Sequence, residues 1–133
     1  MLGYLQGEFT PLNQTQALIK ANQVGYLVTV STTILAQKPS ELYLYTHVKE
    51  DKLDLYGFTS WDERSVFELL LSVSGVGPST AYHIVSAGHT QLVEAVQQAQ
   101  ISFFTAIPRV GKKMAQKIII ELSGKLANSK PST

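Results

Sequence analysis

The sequence predicts an α+β protein in which a small N-terminal β-barrel precedes an all-α domain. Three observations predict it. Apolar residues alternate with a period near 2 over residues 1–59. From Ser60 onward the apolar spacing lengthens to that of helices. Within the helical part, one segment returns in similar form 34 positions later.

The strands come first. Val24, Tyr26, Val28 and Val30 alternate with Gly25, Leu27, Thr29 and Ser31, and Leu42, Leu44, Thr46 and Val48 alternate with Tyr43, Tyr45 and His47. Runs at Gly3–Phe9, Gln16–Ala21 and Leu53–Phe58 bring the expected number to about five. Pro11, Asn13, Asn22, Pro39 and the string Lys49-Glu50-Asp51-Lys52 mark the breaks. Five short strands in about 60 residues fit a five-stranded Greek-key barrel, the OB-fold.

Helices follow. Ser60-Trp61-Asp62-Glu63 reads as a capping box: the Ser hydroxyl serves an orphan amide and the Glu three residues on reciprocates. Val66, Phe67, Leu70 and Leu71 then share one face. A second helix is expected from about Pro78 to Ala87, with Gly88 after its end. Thr90 is expected to cap a third, through about Ala99, and Ser102 to start a short fourth that stops before Pro108. The last is expected from Lys112 to Leu126, burying Ala115, Ile118, Ile119, Leu122 and Leu126. The domains are thus expected at 1–59 and 60–127, with a disordered Ser/Pro/Lys tail at 128–133.

Composition excludes several chemistries. The chain of 133 residues has no cysteine, so disulfides, thiolate zinc sites, iron–sulfur clusters and a cysteine nucleophile are ruled out. A reducing, cytoplasmic setting is compatible with that. No apolar run approaches the roughly 20 residues needed to cross a bilayer, and the N-terminus has no basic segment followed by an apolar one. Net charge is only +1, but it is unevenly placed. Residues 1–62 carry four bases and six acids, whereas residues 105–133 carry six bases and the single acid Glu121. Such asymmetry points to an anionic partner at the basic end.

The repeat says where that partner would sit. Val73-Ser74-Gly75-Val76-Gly77-Pro78 through Ile84 aligns with Ile107-Pro108-Arg109-Val110-Gly111-Lys112 through Ile118. Each copy reads as a short helix, a tight turn and a second helix. A Gly-rich turn lets the backbone bend and approach a ligand closely. The helix after it opens with unpaired amides and a partial positive charge, which together suit a phosphate. Lys112 and Lys113 stand at such a helix start, where the macrodipole disfavours cations by a few tenths to about 1 kcal/mol. A bound phosphate would offset that penalty. Contacts of this kind carry no base information, so binding would be sequence-independent and salt-sensitive.

Both turns fit the helix-hairpin-helix DNA-binding pattern. In their order and spacing, Met1-Leu2-Gly3-Tyr4-Leu5-Gln6-Gly7, Val24-Gly25-Tyr26, Tyr56-Gly57-Phe58, Gly75-Val76-Gly77-Pro78 and Gly111-Lys112-Lys113 resemble the RuvA family of Holliday-junction-binding subunits, over about residues 1–127. The resemblance implies an OB-fold domain followed by two helix-hairpin-helix motifs. It implies a homotetramer that holds a four-way junction open and square, gripping each arm through phosphates on its minor-groove side. The residues it marks for DNA are Ser74, Gly75, Val76, Gly77, Ser79 and Thr80 in the first hairpin. In the second they are Arg109, Val110, Gly111, Lys112, Lys113 and Lys117. It also implies an acidic pin that parts strands at the crossover, which Glu50-Asp51 match; on its own that pair reads as a solvated hairpin tip. It implies a non-catalytic subunit with no cofactor of its own, ATP and magnesium being used by a separate RuvB-type motor.

Three departures stand out. Arg109 takes the place of the usual first Gly of the second hairpin, which is strained if that position needs φ > 0. Ser79 stands where the first hairpin usually has a Lys. The sequence ends at Thr133, where the family continues through a linker into a small helical domain that contacts the motor. Either that domain has been removed or the motor is contacted differently.

Enzymatic readings fare poorly. No P-loop is evident: Gly111-Lys112-Lys113 lacks a Ser or Thr after the Lys, and Ala106 stands where the leading Gly belongs. A helix-hairpin-helix glycosylase would need an aspartate beyond its hairpin, and no Asp follows Asp62. His47, His83 and His89 have no metal-ligand spacing, so no metal is expected. The alternative of a different class is a single-strand DNA-binding OB protein whose helical domain serves a partner. In it Trp61 and the tyrosines would stack on bases; their expected role otherwise is in the core or at a subunit interface.

Overall fold

In a computed structural model, which describes residues 1–128, the chain divides into two compact units, Met1–Ser65 and a second beginning at Val66. The first unit holds strands β1 (Tyr4–Gln6), β2 (Glu8–Pro11), β3 (Gln16–Ala21) and β4 (Val24–Thr29), helix α1 (Thr32–Gln37), then β5 (Glu41–Lys49) and β6 (Lys52–Phe58). They form one six-stranded sheet in the order β1-β5-β6-β4-β3-β2. Neighbours are antiparallel except β4 and β6, which meet in parallel at Thr29 and Tyr56.

The sheet has six strands rather than five because the expected run Gly3–Phe9 breaks at Gly7. On one side of the break β1 pairs with β5, on the other β2 pairs with β3. Gly7 donates its amide to Ser40 O at 2.9 Å, and a methyl group at Gly7 would overlap the Lys20 carbonyl oxygen. The two edge strands are therefore neighbours in the chain, joined through one residue, and the sheet must coil until its edges approach. Gly7→Ala is expected to cost about 1–3 kcal/mol, as overpacking against backbone does. Urea denaturation of the variant measures it.

Alternation places the core as expected. Leu42, Leu44, Val28, Ala17, Ile19 and Leu55 are buried with Leu5, Val30 and Ile34. Asn22 and Gln23 join β3 to β4 with φ of 50° and 68°, the two positive values of a type I′ turn. Helix α1 was not expected. Ser31 caps it, its Oγ accepting from Ile34 N at 3.2 Å, and Lys38 ends it at φ 50°. With only Ile34 buried among six residues, it leaves no periodic signal.

Helix α2 (Trp61–Leu71) begins in the first unit and ends in the second. The capping box forms with one shift: Glu63 N donates to Ser60 Oγ at 3.2 Å, but the Glu63 carboxylate accepts from Thr59 N (3.2 Å) and Thr59 Oγ1 (2.6 Å). Arg64 is buried, donates to Leu44 O at 2.5 Å and lies 4.3 Å from the centroid of the Trp61 ring. Trp61 itself is half exposed, so it is not a core residue.

The second unit adds α3 (Pro78–Ser86), α4 (His89–Gln97), α5 (Ile101–Thr105) and α6 (Lys112–Asn128). Phe67, Leu70, Ile84, Leu92, Phe104, Ala115, Ile118 and Leu122 are buried there, while Leu71 and Leu126 are half-buried. Thr90 does not cap α4. Gly88 does, without a side-chain bond and at φ 130°, and Thr90 lies inside the helix. Likewise α5 starts at Ile101, one residue before Ser102. Helix α6 reaches Asn128; the rest of the tail expected over 128–133 lies outside the described residues. Among the described residues no helix is long and apolar enough to cross a membrane.

Candidate nucleic-acid interface

The 34-residue repeat is a repeat of structure. In the first turn Val73 N donates to Leu70 O (3.1 Å), Val76 N to Val73 O (3.1 Å) and Ala81 N to Gly77 O (2.9 Å). In the second, Ile107 N donates to Phe104 O (3.0 Å), Val110 N to Ile107 O (3.1 Å) and Ala115 N to Gly111 O (2.9 Å). Every donor and acceptor of one copy has its counterpart 34 positions on. The turning residue is left-handed in both: Gly75 at φ 92° and Arg109 at φ 71°. Val76 and Val110 close the turns with buried side chains, and both amides are spent inside the turn. Of the residues expected to touch DNA, these two position the rest and have no side chain facing solvent.

The remainder face outward. Ser74, Gly75, Gly77, Ser79, Arg109, Gly111, Lys112, Lys113 and Lys117 are exposed, and Thr80 is half-buried. Gly77 caps α3 with no side-chain bond, so the first amides of α3, those of Ser79 and Thr80, have no intrahelical acceptor. The same holds for the start of α6, where Lys112 and Lys113 are its first two residues. Lys117 follows Lys113 by four positions and so lies on the same helix face.

Gly77 and Gly111 have no internal reason to be glycine. Gly77 has φ −90°, and a Cβ at either position would meet nothing within 4 Å. The space in front of both helix starts is open to a ligand. The two copies are alike in backbone and unlike in charge: no Lys, Arg, Asp or Glu occurs from Ser72 to Gly88, whereas the second hairpin has Arg109, Lys112, Lys113 and Lys117.

Arg109 in a left-handed conformation is strained by about 1 kcal/mol relative to Gly. Arg109→Gly is expected to raise the melting temperature by a few degrees and to weaken DNA binding, because the cation goes with the strain. Thermal melts and junction titrations on the same preparation check the opposite signs.

The acidic pair sits in the first unit. Glu50-Asp51 form a two-residue turn between β5 and β6, closed by Lys49 opposite Lys52, and both are exposed. Neither has φ > 0, so the turn is of neither primed type. Among the described residues neither carboxylate has an ion-pair partner within 4 Å; Lys52 leans instead to Asp54 at 3.9 Å.

Comparison with known proteins covers both units. The RuvA N terminal domain family model matches residues 1–57, and that of the SAM-like helix-hairpin-helix tandem matches residues 67–123. The Holliday junction branch migration complex subunit RuvA of Listeria monocytogenes serotype 4a (strain HCC23) is 36% identical over 133 residues, covering 96% of this chain and 66% of that protein. The subunit of the same description from Halothermothrix orenii is 39% identical over 130 residues, covering 95% and 67% respectively. That of Streptococcus equi subsp. zooepidemicus is 35% identical over 134 residues, covering 97% and 68%. The chain thus spans about two thirds of the length of these relatives.

Proposed function

The chain belongs to the RuvA family, and from that premise we propose that it binds four-way DNA junctions by shape, without reading sequence, as the DNA-holding subunit of a branch-migration complex in recombination and repair. It carries no catalytic site of its own in this reading. A separate ATPase of RuvB type supplies the motor, and four copies of the chain form the platform, in the cytoplasm.

One observation carries the reading: two turns with the same backbone hydrogen bonds, 34 residues apart, each opening a helix start behind a glycine that nothing in the protein requires. Two such starts per chain grip two phosphate stretches at a fixed spacing. The backbone amides of Gly75, Gly77, Ser79 and Thr80 serve the first stretch, and Gly111 with Arg109, Lys112, Lys113 and Lys117 the second. Ser74 borders the first turn and adds a hydroxyl. Phosphate contacts fix position and orientation without base readout, so selectivity must come from geometry. The exposed Glu50-Asp51 turn supports that: uncompensated carboxylates repel the phosphates of a duplex lying across them.

A single-strand reading has one observation in its favour. Tyr4, Tyr43 and Trp61 form an aromatic row with centroids 5.4 and 6.1 Å apart, exposed at Tyr4 and Trp61 and half-buried at Tyr43. Arg64 already occupies one neighbourhood of the Trp61 ring, which reduces the face left for a base. A competition gel shift separates the two. Labelled junction is expected to resist excess linear duplex and excess single strand of the same sequences. Displacement by single strand at equal concentration would replace the junction reading with the other.

A further inference from the structure

The hairpin of β5 and β6 outruns the core it belongs to. On its inward face Leu42, Leu44 and Thr46 are buried along β5, and Leu55 and Gly57 along β6. The next residues on that face are Val48 and Leu53. They are directly paired and remain 66% and 61% exposed. An apolar cross-strand pair thus projects beyond the barrel, two residues from the Glu50-Asp51 turn on each strand. On the opposite face, one residue nearer the turn, Lys49 stands directly opposite Lys52. Like charges so placed disfavour the hairpin; Asp54, 3.9 Å from the Lys52 ammonium, offsets part of that repulsion, and a further anion would offset the rest. The tip therefore has three chemistries within the six residues 48–53: an apolar side, a cationic side and an anionic end.

We infer that this tip is a binding site for an unpaired stretch of a DNA strand, with Val48 and Leu53 packing against the faces of its exposed bases. A nucleic-acid strand presents a charged edge and a nearly neutral, flat, poorly hydrated one. The carboxylates turn phosphates away from the end of the hairpin, and the lysine pair accepts them on one side. What faces the apolar side is then the bases, and only unpaired bases have faces to offer. Two aliphatic side chains cover a base face, as apolar wedges do in proteins that unstack a step. The tip would thus hold strands that have parted, in addition to repelling those that have not. The inference rests on the junction reading above.

The test uses the full chain and a four-way junction with 2-aminopurine at a crossover position, whose fluorescence rises when the base leaves its stack. Wild-type protein at saturation is expected to raise the signal. Val48→Thr/Leu53→Thr, which puts residues of high strand propensity at both exposed positions, is expected to cut that rise by at least half while junction Kd stays within about threefold. Val48→Ile/Leu53→Ile is expected to restore it. An unchanged rise in the threonine variant overturns the inference. So does a change in its mass by light scattering without DNA, since the pair would then be covered by a second copy of the chain. Wild-type protein that binds the junction without any rise overturns the inference and leaves the junction reading standing. Wild-type protein that does not bind the junction overturns both.

Discussion

Lys112→Ala/Lys113→Ala is expected to lower junction affinity at least tenfold near 0.15 M salt. It is also expected to flatten the dependence of log K on log salt by about 2 for each hairpin engaged. The sign of the accompanying stability change makes this result specific. Both lysines are exposed in the first turn of α6, where the helix field disfavours a cation by about 0.3–1 kcal/mol. Alanine is also the better helix former. The variant should therefore melt slightly higher than the parent while binding more weakly. A damaged hairpin would lower both quantities, and lysines that merely decorate a helix corner would leave affinity unchanged. Titrations at four or more salt concentrations, paired with thermal melts, separate these cases.

Glu50→Gln/Asp51→Asn is expected to leave junction affinity close to that of the parent and to raise linear-duplex affinity several-fold, narrowing discrimination by up to about tenfold. The two carboxylates have no counter-charge within 4 Å among the described residues, so their field reaches whatever approaches the turn. Exposed charges a few ångströms apart interact by roughly 1 kcal/mol in water, and the proposed assembly of four copies would compound the effect. In the parent, discrimination should shrink as salt rises and the screening length falls below about 8 Å. The variant should show little of that dependence. Equal duplex binding by parent and variant would remove the pin role from these residues.

Much of the fold was legible because two hydrophobic periods meet at Ser60. Leu42, Leu44 and Thr46 face inward as their alternation requires, and Ala115, Ile118, Ile119 and Leu122 are buried as their helical spacing requires. The hairpins were legible for a different reason. A turn built on a left-handed residue and closed by a buried valine has few sequence solutions, and seeing two at one offset identifies both. Even Arg109 was foreseeable in kind: its alignment with Gly75 sets the condition φ > 0, and 71° meets it.

What escaped was decided by partners distant in sequence. The alternation through Gly3–Phe9 runs on unbroken, and nothing local says that Leu5 pairs with Leu42 while Phe9 pairs with Ile19. Helix α1 depends on Ser31 and Lys38 at its ends more than on any apolar stripe. Thr90 has the chemistry of a cap, but Gly88 takes the position because the chain leaves α3 at φ 130°. The overhang of Val48 and Leu53 was hidden for the same reason. Alternation tells which side of a strand faces inward and does not tell where the interior ends.

The bend at Gly7 also bears on solubility. Residues 2–6 shield the outer side of β5: Leu44 N donates to Gly3 O at 2.8 Å, Leu2 N donates to Thr46 Oγ1 at 3.0 Å, and Leu5 pairs with Leu42. A sheet bordered by strands of three and four residues offers intruding chains very little edge. Loss of the first six residues would uncover a nine-residue strand rich in leucine and tyrosine, an open template for edge-to-edge aggregation. The short opening segment protects the barrel from its own kind as well as completing it.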